Sequence, residues 1–218
     1  MTSAPPASAL PAYLRKRHAA WKATGYVDNR AWFQNLAAEG QHPRTMLVTC
    51  CDSRIPAAEL FGAEPGDLFV VRNVANLVPP HEPDHAHHGT SAAVEFAVMG
   101  LKVAHIVVIG HSHCGGVKAC HDMCAGLAPD LVERQSYVGR WMDLLRPAYD
   151  GVVAATPEGP ERLAALEKEA VVISLRNLAT FPFVAAKIAA GTLSLHGAWL
   201  DIASGELLSY DPEIDGFA

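Results

Sequence analysis

Short apolar runs recur along the chain, and each is bounded by polar or turn residues. Continuous apolar runs of this length are typical of strands buried on both faces, as in a parallel sheet. Ser204-Gly205 marks a turn after the last long run, so the segment that follows is predicted to pair back against it. The predicted strands are Thr45–Thr49, Asp67–Val71, His105–Ile109, Leu193–Ile202 and Glu206–Tyr210. We therefore expect an α/β fold whose central, mostly parallel sheet has four parallel strands and one C-terminal antiparallel strand, flanked by helices.

Apolar residues at helical spacing predict helices before and between these strands. Asp28 or Asn29 is a suitable cap for the second helix, Thr90 for the third, and Pro147 lies near the end of the fourth. Segment 160–178 has some strand propensity at Val171-Val172-Ile173, but its apolar spacing favours a helix. The predicted helices are Leu10–Ala23, a second that ends at Gly40, Gly89–Leu101, Asp130–Ala148, Pro160–Leu178 and Pro182–Ala190.

The length of 218 residues suits a single domain. No internal repeat or linker divides the sequence. We predict one domain over residues 1–218, with an N-terminal helical arm at 1–40 and an α/β core at 41–218.

Composition narrows the class of protein. Half of the residues are hydrophobic and the formal net charge is −6, so no basic patch indicates nucleic acid as a partner. No apolar run reaches the roughly 18 residues of a membrane span, and the N-terminal residues do not have the pattern of a secretory signal. The five cysteines do not suggest a disulfide framework, because Cys50 and Cys51 are adjacent. We expect a cytoplasmic, reducing location, with no membrane or nucleic-acid partner.

Chemically active side chains follow two of the predicted strands. Cys50, Asp52 and Arg54 come directly after the first, and His111 and Cys114 directly after the third. Ligands of open parallel sheets bind at the carboxyl ends of the strands, so these residues are expected to share one site.

Cys50, His111 and Cys114 form a donor set that suits Zn²⁺, and three protein ligands leave an open position for catalysis. Asp52 is the only nearby choice for a fourth ligand, but pairing with Arg54 would keep its carboxylate occupied. A helix is predicted to begin near Cys114, where its positive end would stabilise a thiolate.

Cys50-x-Asp52-Ser53-Arg54 and Gly110-His111-x-x-Cys114-Gly115-Gly116 together resemble the β-class carbonic anhydrases, and the resemblance extends over most of the chain. Segments 64–76 and 195–199 are also similar to that family. The resemblance implies reversible hydration of CO2 to bicarbonate and a proton by attack of zinc-bound hydroxide. Asp52 would orient the nucleophile, Arg54 would hold Asp52, and one zinc per subunit would be the cofactor. It also implies a homodimer or tetramer, with a dimer at minimum and the helical arms packed on a partner subunit.

The resemblance extends to the substrate pocket of the plant-like branch. Gln41, Phe69 and Val74 match pocket positions by spacing, Phe96 stands in place of a family tyrosine, and Gly115 is placed to offer a backbone amide to a substrate oxygen. Leu47 replaces the tryptophan of another branch that binds inhibitory bicarbonate, so the open form of the site is expected. The proton shuttle stays open; the histidines considered for it are His85, His87, His88 and His113.

Two alternatives use the same residues. A hydrolase of carbonyl sulfide or carbon disulfide would need the same zinc and the same Asp-Arg pair. A non-catalytic bicarbonate-binding module or a structural zinc site is the other. Cys120 and Cys124 are spaced for a second metal site, but buried cysteines on one helix face are the simpler interpretation.

Overall fold

A six-stranded sheet organises the computed structural model, which describes residues 8–82, 88–132 and 136–218. The strands are β1 Thr45–Cys50, β2 Leu68–Asn73, β3 His105–His111, β4 Ser194–Leu200, β5 Leu207–Asp211 and β6 Gly216–Phe217. Their order in the sheet is β2-β1-β3-β4-β5-β6. The first four strands in this order are parallel, and β5 and β6 are antiparallel to their neighbours. The predicted fold class is confirmed, and the two-residue β6 is an addition to it.

Ten α-helices are assigned in the described parts of the chain. They are α1 Ala12–Ala23, α2 Gly25–Asp28, α3 Arg30–Glu39, α4 His88–Glu95, α5 Gly115–Cys124, α6 Pro129–Val132, α7 Tyr137–Met142, α8 Arg146–Ala155, α9 Pro160–Thr180 and α10 Pro182–Ala189. No single one of them is long and apolar enough to span a membrane, although α9 and α10, bent by 89° between them, pass that test as a pair. Seven residues of α9 are nonetheless buried in the protein.

The register of the sheet brings the two chemical segments to one edge. β1 and β3 are direct neighbours, with Thr45 opposite His105 and Thr49 opposite Ile109. Because the strands are parallel, Cys50 at the end of β1 and His111 at the end of β3 emerge side by side. The expected meeting of the two motifs therefore follows from strand order.

Helix α9 packs unusually close to β3 and β4 because both strands carry a glycine at the crossing. A Cβ added to Gly110 would lie 2.7 Å from a methyl group of Val171, and one added to Gly197 would lie 2.8 Å from the other. Val171 is fully buried in the main core. The closeness of this contact fixes α9 beneath the carboxyl end of β3.

Three helix predictions were wrong in detail. The long helix Asp130–Ala148 is replaced by α6, α7 and the start of α8, with residues 133–135 outside the described part of the chain. Pro147 lies in the first turn of α8, where the missing N–H of a proline costs no hydrogen bond, and so it begins a helix. Helix α4 begins before Thr90, which is therefore not its cap, and passes into a wider, π-helical turn at Phe96–Leu101.

The chain divides into two compact units, residues 1–41 and residues 42–218. The first contains α1, α2 and α3, and none of its described residues is buried in this chain. Trp21, Tyr26 and Phe33 form a small aromatic cluster there, with ring centroids 5.5–5.7 Å apart. This cluster holds the three helices of the unit together.

Candidate metal centre

Three side chains that bind soft metals meet at the carboxyl edge of the sheet. Cys50 ends β1, His111 ends β3, and Cys114 is the residue that precedes the first turn of α5. All three are buried, and their ligand atoms lie within 4.8 Å of one another. The two sulfur atoms are 3.9 Å apart. Within the described residues, no other three His, Cys, Asp or Glu side chains come close enough to share an ion.

The hydrogen bonding of His111 shows that these residues fit a zinc ion. Its Nδ1 lies 2.9 Å from the main-chain carbonyl oxygen of Ser112 and so donates a proton to it. The lone pair is therefore on Nε2, which is buried and has no hydrogen-bond partner. Ligating histidines commonly donate their second N–H to a backbone carbonyl in this way, which fixes the tautomer. Zn²⁺ is the cofactor of this site, because a Cys2His set with an oriented Nε2 matches its ligand preferences.

The two thiols are coupled through their short contact. The hydrogen bond from Cys114, together with hydrogen bonds from the backbone of Asp52 and Ala75, outweighs burial and lowers the pKa of Cys50 to about 4. The same contact with Cys50, added to burial, raises the pKa of Cys114 well above its ordinary value. The contact therefore favours a metal-free pair in which one sulfur keeps its proton and the other carries the charge. A bound cation would replace that proton.

Asp52 and Arg54 form a bidentate ion pair beside the three ligands. Arg54 Nε lies 2.9 Å from Asp52 Oδ1, and Arg54 Nη2 lies 2.6 Å from Oδ2. The backbone N–H of Arg54 also donates to Oδ1. These hydrogen bonds hold the pKa of Asp52 far below its usual range. Asp52 is thus ionised and engaged, so the centre has three protein ligands and an open fourth position.

Two arginines fix the loops that carry the site. Arg54 Nη2 donates to the carbonyl oxygen of His113 at 3.0 Å, which joins the loop after β1 to the loop after β3. Arg72, in β2, donates to the carbonyl oxygens of Cys50 at 2.9 Å and Asp52 at 2.6 Å. No role for Arg72 was predicted from the sequence. The signal in the sequence was the positive charge of Arg72 near the end of the strand that pairs with β1.

Glu167 is a second residue that the sequence analysis missed. It lies on α9 and is only 4% exposed. Its Oε1 accepts the backbone N–H of Cys114 at 2.9 Å, and its Oε2 accepts the indole N–H of Trp199 at 3.3 Å. Burial raises its pKa, against these two hydrogen bonds. The signal in the sequence is an acidic residue next to Leu166 and one turn before Ala170 and Val171, on an apolar helix face.

The pocket residues take different places. The rings of Phe69 and Phe96 are in contact, with centroids 5.7 Å apart. Val74 lines a cavity of about 980 Å³, and its carbonyl oxygen accepts the indole N–H of Trp141. Gly115 begins α5, with no atom within 4 Å of the position a Cβ would take.

The remaining predicted residues lie in less informative places. Gln41 is exposed at the end of the N-terminal unit, and His113 is exposed with a left-handed backbone, φ 57°. Leu47 is buried in the core. His85 and His87 lie outside the described residues, and only the backbone of His88 is described.

Cys120 and Cys124 form no metal cluster with other described residues. Cys120 is fully buried, and burial raises its pKa to about 12. It remains a thiol at neutral pH, as expected for a cysteine that packs as a small apolar residue.

The sequence of the α/β core matches one family model. That model is described as carbonic anhydrase, and it matches residues 45–207. The chain belongs to the β-class carbonic anhydrases. The predicted resemblance is confirmed, and neither the sulfur-substrate hydrolase nor the non-catalytic module gains support from the relatives of this chain.

Relatives of this carbonic anhydrase include both curated sequences and solved structures. Beta carbonic anhydrase 5, chloroplastic, from Arabidopsis thaliana is 36% identical over 188 residues, which are 85% of this chain and 60% of that protein. The β-carbonic anhydrase CcaA matches with a TM-score of 0.84 and 32% identity, over 94% of this chain and 90% of CcaA. One of two tetrameric β-carbonic anhydrases from Sordaria macrospora matches with a TM-score of 0.73 and 30% identity, over 90% of this chain and 94% of that one.

Proposed function

We propose that this protein catalyses the reversible hydration of CO2 to bicarbonate and a proton, with one zinc ion per chain. The observation that carries the proposal is the engagement of Asp52 by Arg54 beside Cys50, His111 and Cys114. A structural zinc site would need a fourth protein ligand, and the carboxylate of Asp52 is committed to an arginine. An open position is what a hydration catalyst requires.

Bound zinc would supply an acidified water as the nucleophile, as it does in carbonic anhydrases with three histidine ligands. With two thiolates in place of histidines, the metal carries less net charge, and we expect activity that rises with pH above neutrality. Asp52 has no proton to donate, so it accepts the O–H of the attacking oxygen and aims the lone pair of that oxygen at the carbon of CO2. Arg54 keeps the carboxylate ionised and fixes its direction.

We propose that the pocket residues matched by the resemblance bind the substrate. Phe69, Phe96 and Val74 supply apolar surface that suits CO2, which has no net dipole and no proton to donate. The backbone N–H of Gly115 lies in the first turn of α5, where it is free of the helix's own hydrogen bonds. It would stabilise the negative charge that develops on a substrate oxygen. Gln41 stays a prediction that rests on the resemblance to the plant-like branch.

We infer that the active form is a homo-oligomer, a dimer at minimum. Large apolar side chains are exposed on the N-terminal helices, including Tyr13, Trp21 and Trp32. Burial of such residues against another copy would remove apolar surface from water. The Sordaria macrospora relatives are tetrameric. Light scattering of the zinc-loaded protein at several concentrations tests this, and a monomer at all of them would overturn it.

The state of the cysteines supports a reducing location, which we propose to be cytoplasmic. All five are free thiols, and the thiolates of Cys50 and Cys114 bind zinc only in reduced form. Fractionation of the native host tests this proposal.

Stopped-flow measurement of CO2 hydration with a pH indicator tests the function. Zinc-loaded protein is expected to accelerate hydration at mildly alkaline pH, and chelation is expected to abolish the acceleration. Turnover of carbonyl sulfide, the alternative substrate, is measured on the same protein for comparison. Zinc-loaded protein without hydration activity would overturn the proposal.

A further inference from the structure

Glu167 is a buried carboxylate with a direct contact to a metal ligand. Both of its oxygen atoms accept hydrogen bonds, Oε1 from the backbone N–H of Cys114 and Oε2 from the indole of Trp199. The donors belong to different parts of the fold, the start of α5 and strand β4. A buried carboxylate is costly unless such donors satisfy it.

The backbone fixes the place of Glu167. A Cβ added to Gly110 would lie 3.1 Å from the carbonyl oxygen of Glu167, and Val171, one turn later, is the residue that touches both glycines at the crossing of α9 with β3 and β4. Gly110 directly precedes His111 in the sequence. These close contacts therefore hold the backbone of Glu167 at a fixed position beside the residue that precedes His111.

We propose that Glu167 is a positioning residue for the metal centre: its carboxylate holds the backbone of Cys114, so that the thiolate faces Cys50 and His111. Cys114 has extended dihedral angles, φ −69° and ψ 116°, and the chain turns into α5 immediately after it. No side chain caps this helix end, and the backbone N–H of Cys114 is tied to Glu167 instead. The proposal rests on the metal site of the proposed function.

A carboxylate fits this role better than an amide does. Its two oxygens accept both N–H groups, whereas glutamine has one oxygen and one NH2 group. In Glu167→Gln, one of the two N–H donors would face another donor. The variant keeps the size of the side chain but weakens the hold on Cys114 or on Trp199.

The test is the dissociation constant of Zn²⁺, measured by competition with a chelating dye. Glu167→Gln is expected to bind zinc about 10- to 100-fold more weakly, the usual effect of removing a residue that orients a ligand. Glu169→Gln is the matched control. Glu169 lies on the same helix and pairs with Arg176 at 3.1 Å, with a side chain 28% exposed. That control is expected to bind zinc as the wild type does.

A rescue variant separates positioning from a general loss of order. In Glu167→Gln combined with Trp199→Phe, the indole donor is gone and the glutamine oxygen is free to accept the N–H of Cys114. Zinc affinity is expected to recover most of the loss. The sulfur-to-metal absorption bands of the Co²⁺ form report the orientation of the thiolates, and they are expected to change in the single variant and to return in the double variant.

Three results would overturn the proposal. One is wild-type zinc affinity with an unchanged Co²⁺ spectrum in Glu167→Gln, and another is the absence of rescue in the double variant. If Glu167→Gln does not fold, Glu167→Asp is measured in its place, because its shorter side chain withdraws the carboxylate from Cys114 by one methylene group. Wild-type zinc affinity in Glu167→Asp is the third result that would overturn the proposal. These measurements do not involve CO2, so they stand whether or not the protein hydrates it.

Discussion

The guanidinium of Arg54 donates to the main-chain carbonyl of His113 at 3.0 Å while it holds both oxygens of Asp52. One side chain therefore sets the orientation of the carboxylate and the distance between the two loops that supply the ligands. A change at Asp52 should therefore affect the carboxylate itself, whereas a change at Arg54 should affect the charge and the orientation of that carboxylate.

Replacement of Asp52 by asparagine should exchange one carboxylate oxygen for an NH2 donor, so that Arg54 and the attacking O–H compete for the single oxygen that remains. Because the ligands are untouched, zinc content should stay at one per chain, while CO2 hydration falls by roughly 10²-fold or more, a typical loss for a positioned acid-base group. Stopped-flow hydration and metal analysis on the same sample check this. Asp122→Asn, at a surface pair with Lys118, is the control and should keep full activity. Full activity in Asp52→Asn would contradict the assigned role.

Replacement of Arg54 by glutamine should change how the stability of the protein depends on pH. In the wild type the hydrogen bonds from Arg54 lower the pKa of Asp52, so its carboxylate stays ionised throughout the working pH range. In the variant that pKa rises toward its ordinary value. The contribution of this ion pair to stability, present above the unfolded pKa and lost as pH falls through the folded pKa, should therefore disappear. Melting temperatures at neutral and acidic pH check this, and the same difference in Tm between the two conditions in both proteins would rule out this coupling.

Gly116→Ala should destabilise the protein and weaken zinc retention. A Cβ at Gly116 would lie 2.6 Å from a methyl group of Val74 and 3.1 Å from the Cβ of Ala75. Overpacking of this kind costs about 1–3 kcal/mol, which corresponds to a fall in Tm of about 2–12 °C in a chain of this size. Gly115→Ala is the matched control, since nothing lies near its Cβ. Equal melting temperatures for the two variants would refute the steric account.

Zinc stoichiometry should separate the two classes of cysteine. Cys50→Ala should lose the metal, because a Cys-His pair alone holds zinc weakly, and its Tm should no longer respond to chelation. Cys120→Ala should keep one zinc per chain, since that thiol packs in the core and is not ionised. The zinc content of each variant, measured after dialysis, checks both expectations. Loss of zinc from the Cys120 variant at unchanged Tm would point to a ligand role for that residue.

The sequence predicts this site well because its residues follow strands, and strand ends are easily placed. The apolar runs before Cys50 and His111 predict two strands of one parallel sheet, and the ends of such strands lie at the same edge of the sheet. Arg72 and Glu167 were missed because each acts through main-chain atoms of a distant segment, and the type of a charged residue does not say which main-chain group it will bind. The long helix over 130–148 failed for a related reason. Gly139 packs against the carbonyl of Leu131 and Ser136 caps α7, so tertiary contacts divide a segment whose spacing is helical.

The 3.9 Å approach of the two ligand sulfurs also has a meaning for the chain without its metal. With its lowered pKa, Cys50 would then be a thiolate, and thiolates react readily with peroxides. Peroxide would convert it to a sulfenic acid, and the neighbouring Cys114 thiol would condense with that group to form a disulfide, with release of water. A disulfide at this position leaves no thiolate to bind the metal, so zinc could not return until the bond was reduced. Occupancy by metal therefore protects the site against oxidative damage, and metal starvation and oxidative stress should inactivate this protein together.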